Sequence, residues 1–199
     1  MAVTAECVKE LRDKTGAGMM DCKKALQASG GDMEKAITIL REKGAAVLEK
    51  REGKSASEGT VACYIHGGGK IGVLVELNCE TDFVAKTDDF KDLARDIAMH
   101  VAWSRPEYVT REDIPEDRLE KEQEINRQWA LNQGKPEAAL PKIVEGRIEK
   151  FFSTVVLMDQ PFIKNEDVTI GELIREKAGK LGEKILLRRF VRFSVGEEA

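Results

Sequence analysis

The stretch Asn78-Cys79-Glu80-Thr81-Asp82-Phe83-Val84-Ala85-Lys86 marks the point where the chain changes from one kind of secondary structure to another. Before it, residues 71–77 form a short apolar run rich in β-branched side chains, which is typical of a buried strand. After it, apolar residues from Phe90 to Ala102 recur at three- and four-residue steps, which predicts an amphipathic helix. A strand-to-helix turn therefore carries Asp82 and Phe83 side by side.

This turn has two interpretations. In the structural one, Thr81 or Asp82 caps the following helix and Phe83 closes the edge of the core. In the functional one, the turn is exposed and presents its side chains to a ligand or partner, as loops mounted on rigid elements often do. Local pattern alone favours the structural interpretation.

Composition excludes several classes of protein. The chain has 199 residues, 34% of them charged with both signs interspersed, and a net charge of -4. That balance argues against a general binder of nucleic acid or anionic membranes, which would carry a basic surplus. We find no secretory signal and no run of roughly 20 apolar residues. We therefore expect a cytoplasmic protein with no membrane and no direct nucleic-acid contact.

The cysteines and histidines predict no metal site. The four cysteines are widely spaced and form no C-x-x-C pair, and the chain has two histidines. A zinc site would need an unusual arrangement of these residues, so reduced and mostly buried thiols are expected. His100 lies between apolar neighbours and is interpreted as structural. The residues concerned are Cys7, Cys22, Cys63, Cys79, His66 and His100.

The first 44 residues predict a compact module of three short helices. Thr4 is the expected cap of the first helix, and Gly44 is the expected end of the third. Met19 and Met20 lie on the apolar face of the second helix, where methionine is more often core than binding surface. We place a domain boundary after residue 54, giving an N-terminal domain of residues 1–54 and a second domain of residues 55–199.

The second domain is predicted to be α+β, with a small antiparallel sheet packed with helices. Residues 60–77 predict a β-hairpin, and residues 187–195 a strand that pairs with it. Residues 116–152 predict two charged helices with narrow apolar stripes, either a protruding coiled-coil hairpin or two ordinary surface helices. The glycines after His66 join two strands and lack the context of a phosphate loop or a hydrolase oxyanion loop.

No catalytic machinery is recognisable in the sequence. It contains no nucleophile with a positioned base, no metal cluster and no cofactor fingerprint. No pair of carboxylates stands out as a general acid and base. From the residues alone, the chain is a binding module rather than an enzyme, with no catalytic residue, metal or cofactor.

Several long motifs, in order along nearly the whole chain, resemble one family. Residues 11–26 (LRDKTGAGMMDCKKAL) and 78–86 (NCETDFVAK) carry most of this resemblance. Shorter matches are IAMHVA at 97–102, VEGR at 144–147 and QPF at 160–162. The chain is similar to bacterial elongation factor Ts, the guanine-nucleotide exchange factor of elongation factor Tu.

The resemblance implies a three-helix module of the ubiquitin-associated type, followed by an exchange core with a coiled-coil hairpin. It also implies that elongation factor Tu, GDP-bound or nucleotide-free, is the partner. In the family, the N-terminal module contacts the nucleotide-binding domain of the GTPase, which assigns partner binding to Met19 and Met20. The turn matching Asp82 and Phe83 inserts beside the partner's Mg²⁺, which assigns Mg²⁺ displacement to Thr81–Val84.

The chain departs from longer members of the family, which carry a second α+β lobe inserted after the turn. Short members similar to this chain work as symmetric dimers, so a homodimer is expected. Two rival functions are also compatible with the sequence. One is a non-catalytic adaptor whose helical module binds another protein, and the other is an enzyme that uses the His66 glycine loop.

Overall fold

The computed structural model describes residues 3–51 and 53–197, leaving out the side chains at positions 41, 45, 47 and 48. Helices alternate with a small number of strands in this part of the chain, which confirms the predicted α+β class. The helices are α1 (Ala5–Thr15), α2 (Met19–Ala28), α3 (Met33–Glu49), α4 (Asp82–Ala85), α5 (Asp88–Ser104), α6 (Glu116–Asn132), α7 (Leu140–Val155) and α8 (Ile170–Leu181). The strands are β1 (Glu58–His66), β2 (Ile71–Cys79), β3 (Pro161–Phe162), β4 (Asn165–Thr169) and β5 (Ile185–Ser194).

The chain folds into two compact units. The first consists of residues up to Thr60 together with Leu77–Leu93 and Ile174–Leu186. The second consists of Val61–Glu76, Ala94–Leu173 and the residues from Leu187 onward. The predicted domain boundary after residue 54 stays a prediction.

Three helices form the N-terminal part of the first unit, as predicted. Thr4 caps α1, since its side-chain oxygen accepts a hydrogen bond from the backbone N–H of Cys7 at 3.2 Å. Gly16 ends α1 in the left-handed conformation, with φ of 64°. The helices enclose a small core of mostly fully buried side chains, namely Val8, Leu11, Cys22, Ala25, Leu26 and Ala36.

The prediction that the third helix ends at Gly44 is wrong, because α3 continues to Glu49. Gly44 instead allows a close approach between helices. A Cβ added to Gly179 of α8 would lie 3.4 Å from the Cα of Gly44. The lack of a side chain at both positions therefore lets α3 and α8 pack backbone to backbone, and that packing offsets the low helix propensity of glycine.

In the second unit, β5 pairs with the hairpin as the sequence predicts, and the strand order is β1-β2-β5. Val195 N–H donates to the carbonyl of Lys70 at 2.9 Å, and Arg189 Nε contacts Glu76 Oε2 at 2.7 Å. The residue numbers rise along one strand as they fall along the other, so β5 is antiparallel to β2. The short β3–β4 pair was not predicted from the sequence.

Helices α6 and α7, also in the second unit, pack along each other in opposite directions. The guanidinium of Arg147 lies 3.9 Å from the ring centre of Trp129, and that of Arg118 lies 5.8 Å from the ring centre of Phe151. The start of α6 therefore meets the end of α7, as in an antiparallel hairpin. The prediction that α6 and α7 form a protruding coiled coil stays a prediction. The same holds for the prediction that the N-terminal helices form a module of the ubiquitin-associated type.

His100 is fully buried in the second unit. Its Nε2 lies 2.9 Å from Gln160 Oε1, and its Nδ1 accepts from the backbone N–H of Ile163 at 3.4 Å. Burial lowers the pKa of this imidazole. Both ring nitrogens are engaged within the protein, which agrees with a structural role. Across residues 3–51 and 53–197, no cluster of metal-ligating side chains is found, and no helix is long and apolar enough to span a bilayer.

Candidate functional site

The turn that follows β2 presents a large aromatic side chain to solvent. Cys79 at the end of β2 is buried, whereas Phe83 in the one-turn helix α4 is 79% exposed. The structural interpretation, in which Phe83 closes the edge of the core, is therefore wrong. Thr81 does act as a cap, through a 3.4 Å hydrogen bond from the N–H of Val84 to its hydroxyl oxygen, but it caps the separate one-turn helix α4. The predicted long helix is α5, which begins at Asp88 and has Thr87 as the acceptor for the N–H of Phe90.

Thr81 is held from a distant part of the chain by Glu183. The carboxylate of Glu183 accepts the backbone N–H of Thr81 at 3.0 Å and its hydroxyl at 2.7 Å. Two donors of one residue thus bind the two oxygens of one carboxylate. Such charge-assisted pairs are stronger than neutral hydrogen bonds.

The preceding residue, Glu80, binds the residue that follows Glu183 in the chain. Its carboxylate accepts the backbone N–H of Lys184 at 2.7 Å and a guanidinium N–H of Arg51 at 2.7 Å. The bond from Lys184, followed by that from Arg51, holds the pKa of Glu80 below its ordinary value. Residues 80–81 and 183–184 are therefore tied together in both directions, and we call these four residues the glutamate clasp.

The thiol of Cys79 closes the inner side of the same turn. Its Sγ donates to the carbonyl of Thr81 at 3.1 Å. Burial, with a smaller effect of the nearby Glu183 charge, raises the pKa of Cys79 to about 11. The thiol therefore stays protonated at neutral pH and acts as a weak hydrogen-bond donor, not as a nucleophile.

Asp82 and Val84 complete the predicted site. Asp82 is paired with the ammonium group of Lys86 one helical turn later, and this bond lowers the pKa of Asp82 and raises that of Lys86. Val84 is half-buried, and its carbonyl accepts the hydroxyl of Thr87 at 2.8 Å. The four residues thus differ in role, because Thr81 and Val84 are held by the protein, Asp82 is half-exposed and Phe83 faces solvent.

Met19 and Met20 are exposed at the start of α2, with exposed fractions of 55% and 62%. The expectation that they fill the core is therefore wrong. The core side of α2 is formed by residues further along the helix, Cys22 and Leu26. Two flexible apolar side chains in solvent suit an adaptable contact with another protein.

Sequence reasoning missed the glutamate clasp. Glu183 and Thr81 are 102 residues apart, and Lys184 and Glu80 are 104 residues apart. Neither glutamate belongs to a periodic or spaced pattern that would single it out among the 36 acidic residues of the chain. Only residue covariation in related sequences could have indicated these contacts before the structure.

Comparison with known proteins places the turn in a family context. The sequence model described as Elongation factor TS matches residues 3–197, which is nearly the whole chain and includes both the turn and the N-terminal helices. The chain belongs to the elongation factor Ts family. This confirms the resemblance found in the sequence motifs.

Relatives within the elongation factor Ts family are similar to this chain over their length. Elongation factor Ts of Carboxydothermus hydrogenoformans is 63% identical over 195 residues, which cover 98% of this chain and 90% of that protein. The protein of Moorella thermoacetica is 64% identical over 195 residues, covering 98% and 96%. That of Syntrophus aciditrophicus is 58% identical over 198 residues, covering 100% and 98%. These relatives therefore have little sequence outside the aligned region.

Proposed function

We propose that this protein is a guanine-nucleotide exchange factor, which accelerates GDP release from elongation factor Tu during translation elongation in the cytoplasm. Its family membership supports the partner, and the exposed Phe83 on a clasped turn supports the mechanism. The protein acts by binding alone, without covalent chemistry, cofactor or metal of its own.

The turn Thr81–Val84 acts as a wedge. Nucleoside diphosphates are held in GTPases largely by Mg²⁺ and by backbone donors around the phosphates. A side chain that separates the helices behind the Mg²⁺ site removes that coordination without breaking a bond in the nucleotide. Phe83 suits this task, because it can bury a large area on the partner and has few rotamers to fix.

Asp82 supplies a charged group beside the wedge. Its bond to Lys86 is exposed, and exposed ion pairs contribute little to stability. Asp82 can therefore give up its bond to Lys86 at a small cost in free energy. It can then bind polar groups of the partner that become accessible when Phe83 inserts. Thr81 and Val84 keep the backbone of the turn in place during this exchange of contacts.

Met19 and Met20 provide a second contact, with the nucleotide-binding domain of the partner. Their exposure leaves both side chains free to bury apolar surface there. Binding at the module brings the partner to the wedge and adds affinity. Because linkage is reciprocal, the factor that weakens GDP binding must itself bind less tightly to the GDP-bound partner.

We further propose that two copies form a homodimer through the outer face of the three-stranded sheet. This face belongs to the second unit and carries several large exposed apolar side chains, and contiguous patches of such residues mark protein interfaces. A symmetric dimer would cover the same patch on both copies. Its exposed members are Val61, Ile65, Leu74, Val191, Phe193 and Val195.

The decisive experiment measures the release of fluorescently labelled GDP from purified elongation factor Tu, with and without this protein. Wild type should accelerate release, and Phe83→Ala should lower the saturating rate by about 100-fold if the wedge supplies several kcal/mol of barrier reduction. Equal stimulation of GDP release by Phe83→Ala and wild type would contradict the wedge role of Phe83. Tight binding without any acceleration by wild type would instead identify a non-catalytic adaptor.

A further inference from the structure

We propose that Glu183 is a positioning residue for exchange. It holds the Thr81–Val84 turn in the one shape that lets Phe83 enter the partner. This inference rests on the proposed function of the wedge, and it concerns a residue that lies outside the turn in sequence.

Glu183 fixes the orientation of the Thr81 hydroxyl. The hydroxyl of Thr81 has one proton and gives it to Glu183 Oε1 at 2.7 Å. The lone pairs of the same oxygen are then directed away from Glu183, and one of them accepts the N–H of Val84. Glu183 therefore sets the orientation of the cap on α4.

That cap is weak when taken alone. The distance from Val84 N to the Thr81 hydroxyl oxygen is 3.4 Å, beyond the usual range of a strong hydrogen bond. A helix of four residues also has little intrinsic stability, since forming its first turn is unfavourable. The strong contact from Glu183 thus compensates for a short helix and a long capping bond.

Phe83 depends on this support because its own side chain has little. It is 79% exposed, so packing within the protein does not fix it, and the backbone of α4 sets its direction. Half of the clasp binds Thr81, two residues before Phe83. A loose turn would have to be ordered during insertion, and that ordering would raise the barrier.

The other half of the clasp keeps Glu183 itself in place. Glu80 binds the N–H of Lys184, which directly follows Glu183, and is in turn held by Arg51. The backbone on both sides of the contact is therefore fixed. Glu183 reaches Thr81 from a preorganised position rather than from a free loop, which is the arrangement expected of a supporting residue around a functional site.

The test compares Glu183→Gln with wild type in the GDP-release assay. Glutamine keeps the shape of the side chain but has a single acceptor oxygen for the two donors of Thr81. We expect the saturating release rate to fall by about tenfold, because a misplaced Phe83 enters the partner less readily. The half-saturating concentration, which reports mainly the contact of the N-terminal module, should change by less than about twofold.

A double-mutant cycle separates positioning from general damage. In the Phe83→Ala background, Glu183→Gln should lower the saturating release rate by less than about twofold, because there is no longer an aromatic ring to position. Equal losses in both backgrounds would overturn the proposal. Thr81→Val, which removes the hydroxyl from the other side of the same contact, should reproduce the loss, and it serves as the second variant if Glu183→Gln fails to fold. Glu166→Gln, an exposed carboxylate on β4, is the control for the change in charge.

Hydrogen exchange distinguishes this proposal from the proposed function itself. The backbone amides of residues 81–85 should exchange about tenfold faster in Glu183→Gln than in wild type, with no partner present. If wild type fails to accelerate GDP release, the exchange function is wrong, and amide exchange still decides whether Glu183 holds the turn. Unchanged amide exchange, or an unchanged release rate in Glu183→Gln, would contradict the proposal.

Discussion

Glu80 and Glu183 each accept a hydrogen bond from the backbone amide that follows the other. Lys184 N–H donates to Glu80 at 2.7 Å, and Thr81 N–H donates to Glu183 at 3.0 Å. This reciprocal arrangement joins the end of β2 to the segment that leads into β5. Rigidity at this junction is the physical basis for an exposed aromatic side chain with a defined direction, since such a side chain takes its position from its backbone.

The clasp predicts a specific dependence of stability on pH. The folded-state pKa of Glu80 lies below its ordinary value of 4.5, so its charged form stabilises the fold. This contribution is present above the ordinary pKa and is lost as the pH falls through the lower folded-state value. Glu80→Gln should therefore reduce the free energy of unfolding at pH 7 by about 1–2 kcal/mol, because it loses a charge-assisted bond.

Urea denaturation at several pH values checks this prediction. The difference between wild type and Glu80→Gln should be constant at neutral pH and shrink as the solution becomes more acidic than about pH 4. The difference isolates Glu80 from the other carboxylates, which titrate in both proteins. A difference that grows on acidification would show that the sign is wrong.

Phe83 should contribute little to folding stability, in contrast to its role in exchange. Because its ring is mostly in water, Phe83→Ala should change the free energy of unfolding by less than about 0.5 kcal/mol. Phe90, seven residues later in α5, is fully buried, and Phe90→Ala should cost about 3–5 kcal/mol. Thermal or urea unfolding of both variants makes the comparison. A large loss of unfolding free energy in Phe83→Ala would show that this ring packs in the protein's own core.

Met19 and Met20 should affect affinity rather than the maximal rate. The double variant Met19→Ala/Met20→Ala should raise the half-saturating concentration in the GDP-release assay by about tenfold, as expected for apolar anchors at an interface. The saturating rate should stay close to that of wild type, because the wedge is intact. Ile125→Ala/Leu131→Ala removes exposed apolar side chains from α6 and is the matched control. Equal effects of the two double variants would rule out a specific contact at the module.

The outer face of the sheet should govern the oligomeric state. Phe193 is 67% exposed on this face, and Phe193→Glu would place a charge within the apolar interface, where it would be poorly solvated. We expect light scattering to show a dimer for wild type at micromolar concentration and a monomer for Phe193→Glu. Ile125→Glu, on α6, should remain dimeric. A monomeric wild type that retains full exchange activity would contradict the dimer.

Elements with strong local patterns were predictable from the sequence. The hairpin of β1 and β2, the helix α5 and the three N-terminal helices follow from apolar periodicity and glycine breaks, because both act between residues close in the chain. The predicted end of α3 was wrong, because Gly44 has the local pattern of a helix terminus but packs against Gly179 in the folded protein. Propensity is a weak signal, and tertiary contact overrode it there.

The sequence by itself determined the α+β class, the order of the main elements and, through its motifs, membership of the elongation factor Ts family. Only the tertiary structure decided which apolar side chains face water. Met19 and Met20 lie in an apolar helix pattern that is compatible with the core, and Phe83 lies in a turn where it could have closed the core edge. The exposure of all three depends on which segments pack nearby. The contact between Glu183 and Thr81 likewise joins residues with no shared local pattern, so it exists only once the chain has folded.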